Sequence, residues 1–266
     1  MIRVGIIGGG RHAEALRAHA TPLGSIVLTA PEQAEALLVF GDHAAAVAGL
    51  RAGKTVLCAP PAARTQAELA ALAEAARAGG GRLLPGGEIV HSETGKRGLA
   101  TIAAPEFGAV KSIWLAIRQA RGGEGDVVEA LGWEALDFVL AALPGGFATV
   151  RTNAGALFGA ARDTAVILLR SESDVVVTIE LARCLPATLA PPGLGEIEIE
   201  VMGAQQSVRI QPGADAVQVW RDDSRRLAPW LDAPVLEMLR RLEAGTGDGL
   251  DRAARALAVM ARISAG

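Results

Sequence analysis

Between Glu196 and Val201 acidic and apolar residues alternate without a break (Glu-Ile-Glu-Ile-Glu-Val). A period of two puts one face of a strand on an apolar core and leaves the other face charged. Extended runs recur at Val110–Arg118, Phe147–Thr152, Ala165–Arg170, Asp174–Leu181, Ser207–Ile210 and Ala216–Trp220. One long helical run, Val127–Leu143, interrupts them and is stopped by Pro144-Gly145-Gly146, while Val235–Ala244 and Leu250–Ile263 close the chain as helices. Strands that follow strands predict a large, mostly antiparallel sheet, hence an α+β domain.

The first hundred residues follow another pattern, in which strands and helices take turns. Ile2–Gly8 is a run of β-branched residues ending in glycines, Arg11–Ala20 is Ala/Leu-rich and helical, and Ser25–Thr29 and Ala36–Phe40 are strands. Ala44–Ala52 reads as a helix, Thr55–Cys58 as a strand, and Gln66–Ala78 as a helix stopped by Gly79-Gly80-Gly81, with Arg82–Leu84 after it. His91–Ile102 is a further helix near the junction, and His43 falls in the loop after a strand. Such alternation predicts a parallel sheet covered by helices, a Rossmann-like unit. The fold class is therefore α/β, with a Rossmann-like domain over 1–104 and an α+β domain over 105–266. Between residues 21 and 43 there is room for one helix–strand unit fewer than such a domain usually has, so the Rossmann half is trimmed.

Composition narrows the partners. The 266 residues are 50% hydrophobic, but the surplus is Ala and Val in short elements, with no apolar stretch near the roughly 20 residues a membrane helix needs. The chain reads as soluble, without a membrane partner, and Met1-Ile2-Arg3 leads straight into a strand with no room for a signal peptide. A net charge of −3 gives no footprint for nucleic acid. Cys58 and Cys184 lie far apart in sequence, which argues against a disulfide framework and for the reducing cytoplasm.

Gly8-x-Gly10-x-x-Ala13, between a strand and a helix, fits the dinucleotide fingerprint. The first glycine permits the tight turn, the second lets a pyrophosphate approach the backbone, and the small third residue packs helix on sheet. Free N–H groups at the helix start, from Gly10, Arg11, His12 and Ala13, would hold the phosphates of NAD or NADP. The fingerprint also wants an acid at the end of the second strand for the ribose hydroxyls. That strand ends Leu28-Thr29-Ala30, with nothing acidic before Glu32 and no Arg close by for a 2′-phosphate.

Ala52-Gly53-Lys54-Thr55-Val56-Leu57-Cys58-Ala59-Pro60-Pro61 resembles the A-G-K-x-V-L-C-E-K-P run of the glucose–fructose oxidoreductase / inositol dehydrogenase family (Gfo/Idh/MocA). His12-Ala13-Glu14-Ala15-Leu16 is similar to its H-A-x-A-L, and Val201–Ile210 to its sheet turn I-x-G-x-x-G-x-L-x-I, with Ser207 for the second glycine. Asp251–Gly266 resembles its final helix. The resemblance implies an oxidoreductase using NAD or NADP on a sugar-like or small hydroxy/keto substrate, and a homo-oligomer built through the second-domain sheet. It also implies two catalytic groups that this chain lacks. The lysine at the strand end is Pro60, and in the helix pattern D-x-G-x-H-x-x-D the run Ala130–Asp137 keeps Gly132 and Asp137 but has Ala130 for the first acid and Glu134 for the histidine. A catalytically inactive homologue serving as a binding or assembly subunit is the alternative.

Oxidation of a secondary alcohol needs a base for the hydroxyl proton and a donor or cation for the forming carbonyl. Glu134 and Asp137, three apart on a helix, face the same way and are the candidate proton carriers, although a polar stripe or an interface ion pair would use the same residues. The lysines are Lys54, Lys96 and Lys111. Lys54 opens a strand whose other end, roughly 13 Å away, bears the ligand, which leaves Lys96 as the candidate cation against the alternative of a solvated surface lysine. Glu88 and His91, after a strand end, and Arg118 are candidate substrate contacts. His91-Ser92-Glu93 lacks a third ligand at a useful spacing, so no metal is expected.

Overall fold

The computed structural model describes residues 2–9, 13, 26–123, 125–159, 161–188, 195–212, 216–220, 224–226 and 249–265. These fall into two compact units, one of residues 2–91 with 249–257 and one of residues 92–226 with 258–265.

The first unit is built on a five-stranded parallel sheet in the order β2-β1-β3-β4-β5. Its strands are β1 (Ile2–Gly8), β2 (Ile26–Thr29), β3 (Ala36–Phe40), β4 (Thr55–Cys58) and β5 (Arg82–Pro85). Helices α1 (His43–Arg51) and α2 (Gln66–Gly79) carry the chain from β3 to β4 and from β4 to β5. Because successive side chains of a strand point to opposite faces, β3 supplies both cores: Leu38 packs with Val4, Ile6, Leu57 and Leu84, while Leu37 and Val39 pack with Leu50, Val56, Leu72 and Ala75. Side chains close the helix starts, with Asp42 accepting from the Ala45 N–H at 2.9 Å and Thr65 from the Glu68 N–H at 3.1 Å. The expected helix over Arg11–Ala20 lies outside the described residues except at Ala13, which is helical.

The trimming expected between residues 21 and 43 takes a definite form. A short 3₁₀ turn, Pro31–Gln33, is all the secondary structure between β2 and β3, and the connection crosses β1 on the way. It crosses at Gly5, where a Cβ would stand 2.7 Å from the Pro31 Cα and 3.1 Å from both Ala34 Cβ and Leu37 Cδ2. So short a crossing cannot climb the sheet: β2 pairs with the lower part of β1, Ile2 to Gly5, and β3 with the upper part, Val4 to Gly8.

The second unit holds an eight-stranded sheet in the order β13-β12-β11-β10-β6-β9-β8-β7. Its strands are β6 (Val110–Ala120), β7 (Phe147–Gly155), β8 (Thr164–Ser171), β9 (Val176–Leu185), β10 (Glu196–Gly203), β11 (Ser207–Gln211), β12 (Ala216–Trp220) and β13 (Ser224–Arg226). All pairs are antiparallel except the central one, β6 with β9, so the sheet is mostly antiparallel as expected. The alternation at Glu196–Val201 holds, with Ile197, Ile199 and Val201 buried opposite Ile117, Leu115 and Ile113. β9 starts later than the alternation suggests because Asp174 takes a left-handed φ of 64° in the turn, where the Ser171 hydroxyl accepts from the Val175 N–H.

The helix expected over His91–Ile102 is two helices, the single turn α3 (Glu88–His91) and α4 (Glu93–Ala103). Ser92 separates them with an extended backbone and caps α4 by accepting from the Gly95 N–H at 2.9 Å. His43, expected in a loop, is the first residue of α1. α4 packs on β11 and β12, and α5 (Val127–Ala142) on β6, β8 and β9. The closing helix α6 (Gly249–Ala265) replaces the expected Leu250–Ile263, and the expected helix at Val235–Ala244 lies outside the described residues.

The seating of the crossing on β1 is open to test. Gly5→Ala is expected to lower the urea midpoint by the equivalent of about 1–3 kcal/mol, because backbone rather than a flexible side chain blocks the new Cβ. Gly145→Ala, where an added Cβ meets nothing within 4 Å, is expected to change stability by less than about 0.5 kcal/mol. Equal effects would mean that the crossing does not press on β1.

Candidate functional site

Ligands of open α/β sheets bind outside the carboxyl ends of the strands. At that edge of the first unit β1 ends in Gly8, whose φ is +94° and whose Cβ, were there one, would lie 2.0 Å from the Phe40 carbonyl oxygen. No other residue type fits there. At Gly9 an added Cβ would meet none of the described residues, and Ala13 is fully buried against Val4, Ile6, Leu38 and Leu57, as the small third residue of the fingerprint should be. Gly10, Arg11 and His12 lie outside the described residues. Both described ends of the turn therefore suit a pyrophosphate.

The adenosine side does not fit in the same way. β2 stops at Thr29, level with Gly5, whereas β3 runs on to pair Phe40 with Gly8. Three residues of strand are missing, roughly 10 Å at 3.3 Å per residue. The Thr29 hydroxyl donates to Gln33 Oε1 at 3.2 Å. The second acid beyond β2, Glu35, is turned elsewhere. Glu35 accepts from the Arg3 N–H at 3.1 Å and from the Arg3 guanidinium at 3.2 Å, and these bonds, the backbone one first, hold its carboxyl below the usual range.

At the end of β4 the Ala59 N–H donates to the Val39 carbonyl at 3.0 Å, and the half-buried pair Pro60-Pro61, joined by a cis bond, follows. Pro60 offers neither charge nor N–H. Cys58 beneath it is buried, and loss of solvent, with the Asp42 charge second, pushes its thiol up to about 12. Lys54 lies at the opposite edge, its Nζ donating to the Pro31 carbonyl at 2.7 Å and the Glu32 carbonyl at 3.4 Å. After β5, Glu88 is half-buried in α3 and His91 is fully buried.

In the second unit α5 is enclosed on every side from Leu131 to Leu140, and it brings Glu134 (8% exposed) and Asp137 (6%) together one turn apart. Between Gly132 and Glu134, Trp133 is 5% exposed and its indole N–H has no acceptor among the described residues. An aromatic residue in an apolar helix reads as core, which is why the sequence gives no hint of this donor. Lys96 sits on α4, which packs against α5, with its Nζ 3.3 Å from Glu93 Oε2. Arg118 is not with them. It lies on the other face of the sheet, paired with Glu196 at 3.4 Å and over the Trp114 ring at 5.9 Å.

What fixes α5 was also unread in the sequence. Arg183, buried on β9, donates through Nη1 to the Gly123 and Gly125 carbonyls in the loop that leads into the helix. Asp126 caps the helix through the Val128 N–H at 2.8 Å and pairs with Arg162. Among the described residues no group of three or more His, Cys, Asp or Glu side chains is placed to hold a metal ion, and no helix is long and apolar enough to cross a membrane.

No protein-family model and no curated protein matches the sequence. Solved structures match nearly all of it. UDP-N-acetylglucosamine 3-dehydrogenase GnnA from Acidithiobacillus ferrooxidans superposes with a TM-score of 0.81 at 14% identity, over 98% of this chain and 96% of that one. An oxidoreductase from Sinorhizobium meliloti gives 0.81 at 15% identity, over 99% and 97%. GenD2 from gentamicin A biosynthesis, solved in complex with NAD, gives 0.72 at 19% identity, over 99% and 94%. The chain has the fold of the Gfo/Idh/MocA oxidoreductases. On the Gfo/Idh/MocA sequence patterns Pro60 closes β4 where the family's lysine stands, and Glu134 takes the histidine's place on α5.

The thiols give a direct check on the edge of the parallel sheet. At pH 8 a thiol pushed up to about 12 is thiolate in about one molecule in ten thousand. A disulfide-exchange reagent is therefore expected to modify the half-buried Cys184 readily and Cys58 only after denaturation. The sign follows for stability: an unfolded chain ionises this thiol near pH 9 and the folded one does not, so stability is expected to fall as pH rises from about 9 toward 12. Fast native labelling of Cys58 would show that the edge is open.

Proposed function

We propose that the chain is an NAD- or NADP-dependent oxidoreductase of the Gfo/Idh/MocA type, acting on a hydroxyl or carbonyl of a sugar-like or small hydroxy/keto substrate. The observation that carries this reading is Gly8, held at a φ of +94° under the Phe40 carbonyl, with a fully buried, helical Ala13 five residues on. The NAD held by GenD2, a protein of the same fold, supports the choice of cofactor. The turn from Gly8 through Gly10, Arg11 and His12 to Ala13 would hold the pyrophosphate on backbone N–H groups. The nicotinamide, when bound, supplies or accepts the hydride. A carboxylate oxygen of Glu134, with Asp137 one turn on, takes the hydroxyl proton in one direction and returns it in the other. Lys96 serves as the polarising cation. Its bond to Glu93, with both side chains partly exposed, is worth only about 0–1 kcal/mol and yields to a substrate oxygen. Glu88 and His91, after β5, are proposed as substrate contacts.

One observation favours a second reading, a binding or assembly protein without hydride chemistry: Pro60 stands where the resemblance wants a lysine. In either case the outer face of the eight-stranded sheet is proposed to meet a second copy of the chain. Val166, Leu168, Val176 and Met202 are exposed there beside Trp114, whose indole N–H donates to Glu180 at 2.9 Å, and Arg118 is assigned to that contact rather than to substrate. With both cysteines free, the cytoplasm is the compartment assigned.

Titration calorimetry of the purified protein with NAD, NADH, NADP and NADPH is the deciding test, with micromolar binding of at least one expected. In a screen of polyols and their ketones, Glu134→Gln is then expected to lower kcat by about 10²–10⁴-fold with nucleotide affinity unchanged. No binding at millimolar concentration would sink the oxidoreductase reading, and binding without turnover would favour the second one.

A further inference from the structure

Within the enclosed stretch of α5, Leu131 to Leu140, the only side chains that carry a polar atom are those of Trp133, Glu134 and Asp137. They are not scattered around the helix. Residues three and four apart stand one turn above each other, so Trp133 and Glu134 both adjoin Asp137 and the three make one patch. The rest of the stretch is apolar and packs in a helix laid on β6, β8, β9 and α4. Polar groups kept in such a place cost free energy unless they bond something.

The indole is the odd member of the three. Trp133 is 5% exposed, and its Nε1–H has no acceptor among the described residues, even with a carboxylate one turn away. Buried tryptophans ordinarily find a partner for that N–H, and a buried donor left unbonded is destabilising. An indole N–H only donates, and it does not exchange roles with a carboxylate as a proton carrier. It suits one task, which is to point a fixed dipole at an oxygen.

We propose that Trp133 is a further catalytic residue, its indole N–H donating to the substrate oxygen whose proton Glu134 carries. The inference rests on the proposed function and adds an oxygen-binding donor to the same site. In the reducing direction the carbonyl carbon accepts a hydride from the reduced nicotinamide, the π pair moves onto the oxygen, and Glu134 delivers a proton to it. The Trp133 N–H bonds that oxygen as its charge grows, so the bond is stronger in the transition state than in the bound ketone. Oxidation runs through the same contacts in reverse. Lys96 brings charge from α4, whereas the indole brings a fixed direction from α5 itself.

Trp133→Phe keeps a ring and removes the N–H. In the full chain, with the polyols and ketones that the unaltered protein turns over, it is expected to lower kcat by about 10²-fold. KM and the nucleotide dissociation constant are expected to stay within about threefold. In protein carrying isotope-labelled tryptophan, the four indole resonances are assigned by replacing each tryptophan with Phe in turn. That of Trp133 is expected to move downfield when such a compound is added with nucleotide, and if Trp133→Phe does not fold, the resonance left after the other three are assigned decides alone. An unchanged kcat would overturn the inference and leave the proposed function standing. So would an equal loss of nucleotide affinity, which marks a packing role, or an indole resonance unmoved by substrate, which marks an acceptor within the chain. Nucleotide binding without turnover of any compound would overturn the inference in favour of the second reading. Failure of every nucleotide to bind would overturn the proposed function and this inference with it.

Discussion

The close approach of Pro31 to Gly5 is the constraint on which the first unit depends. A parallel crossing ordinarily passes through a helix and returns the chain to the foot of the sheet. This one spends a single 3₁₀ turn and therefore leaves β1 at nearly the height where it arrived. Only a residue without a side chain lets the crossing lie so near the strand. The result is a β1 shared between two partners, the lower residues paired with β2 and the upper ones with β3. One missing side chain thus decides which strand supports the glycine turn after β1 and which does not reach it.

The second unit depends on a different device. α5 has almost no polar face, so its position cannot come from an amphipathic stripe laid on the sheet. It comes from its entrance, where Arg183 takes two carbonyls of the glycine-rich loop and Asp126 joins the helix cap to Arg162. Asp163 does the same for the neighbouring loop, accepting from the N–H groups of Leu157 and Phe158, which keep its carboxyl below the usual range. Polar groups at the ends of the elements hold apolar elements in register, and the two enclosed carboxylates of α5 are placed by residues far from them in sequence.

Much of this was legible in the residues, and what was not has a common cause. The strand at Glu196–Val201 declares itself by its period of two, and those at Ala36–Phe40 and Thr55–Cys58 by short unbroken apolar runs, signals that depend on near neighbours alone. So does the glycine at the end of β1. The break at Ser92 was hidden, because a serine inside a helical run becomes a cap only when its own backbone extends. The height of β2 was hidden because register is set between strands, and Arg183 because a buried arginine looks like any surface arginine in sequence. Short-range pattern was readable, whereas pairing at a distance was not.

The parallel pair at the centre of the large sheet bears on how the chain comes to be folded. β7 and β8 meet across a short loop, Gly155 opposite Thr164. β6 and β9 meet with Trp114 opposite Thr178, about 60 residues apart, with α5 and the whole β7–β8 hairpin between them. Closing the longer loop costs roughly 2 kcal/mol more chain entropy than closing the shorter. The hairpins are therefore the cheapest parts of the sheet to form, and the two pairs that β6 makes, with β9 and with β10, are the dearest, an arrangement of distant contacts that goes with slow folding. β7, β8 and β9 can assemble from chain neighbours, as can β10, β11 and β12, and the single strand β6 is what joins the two halves into one sheet.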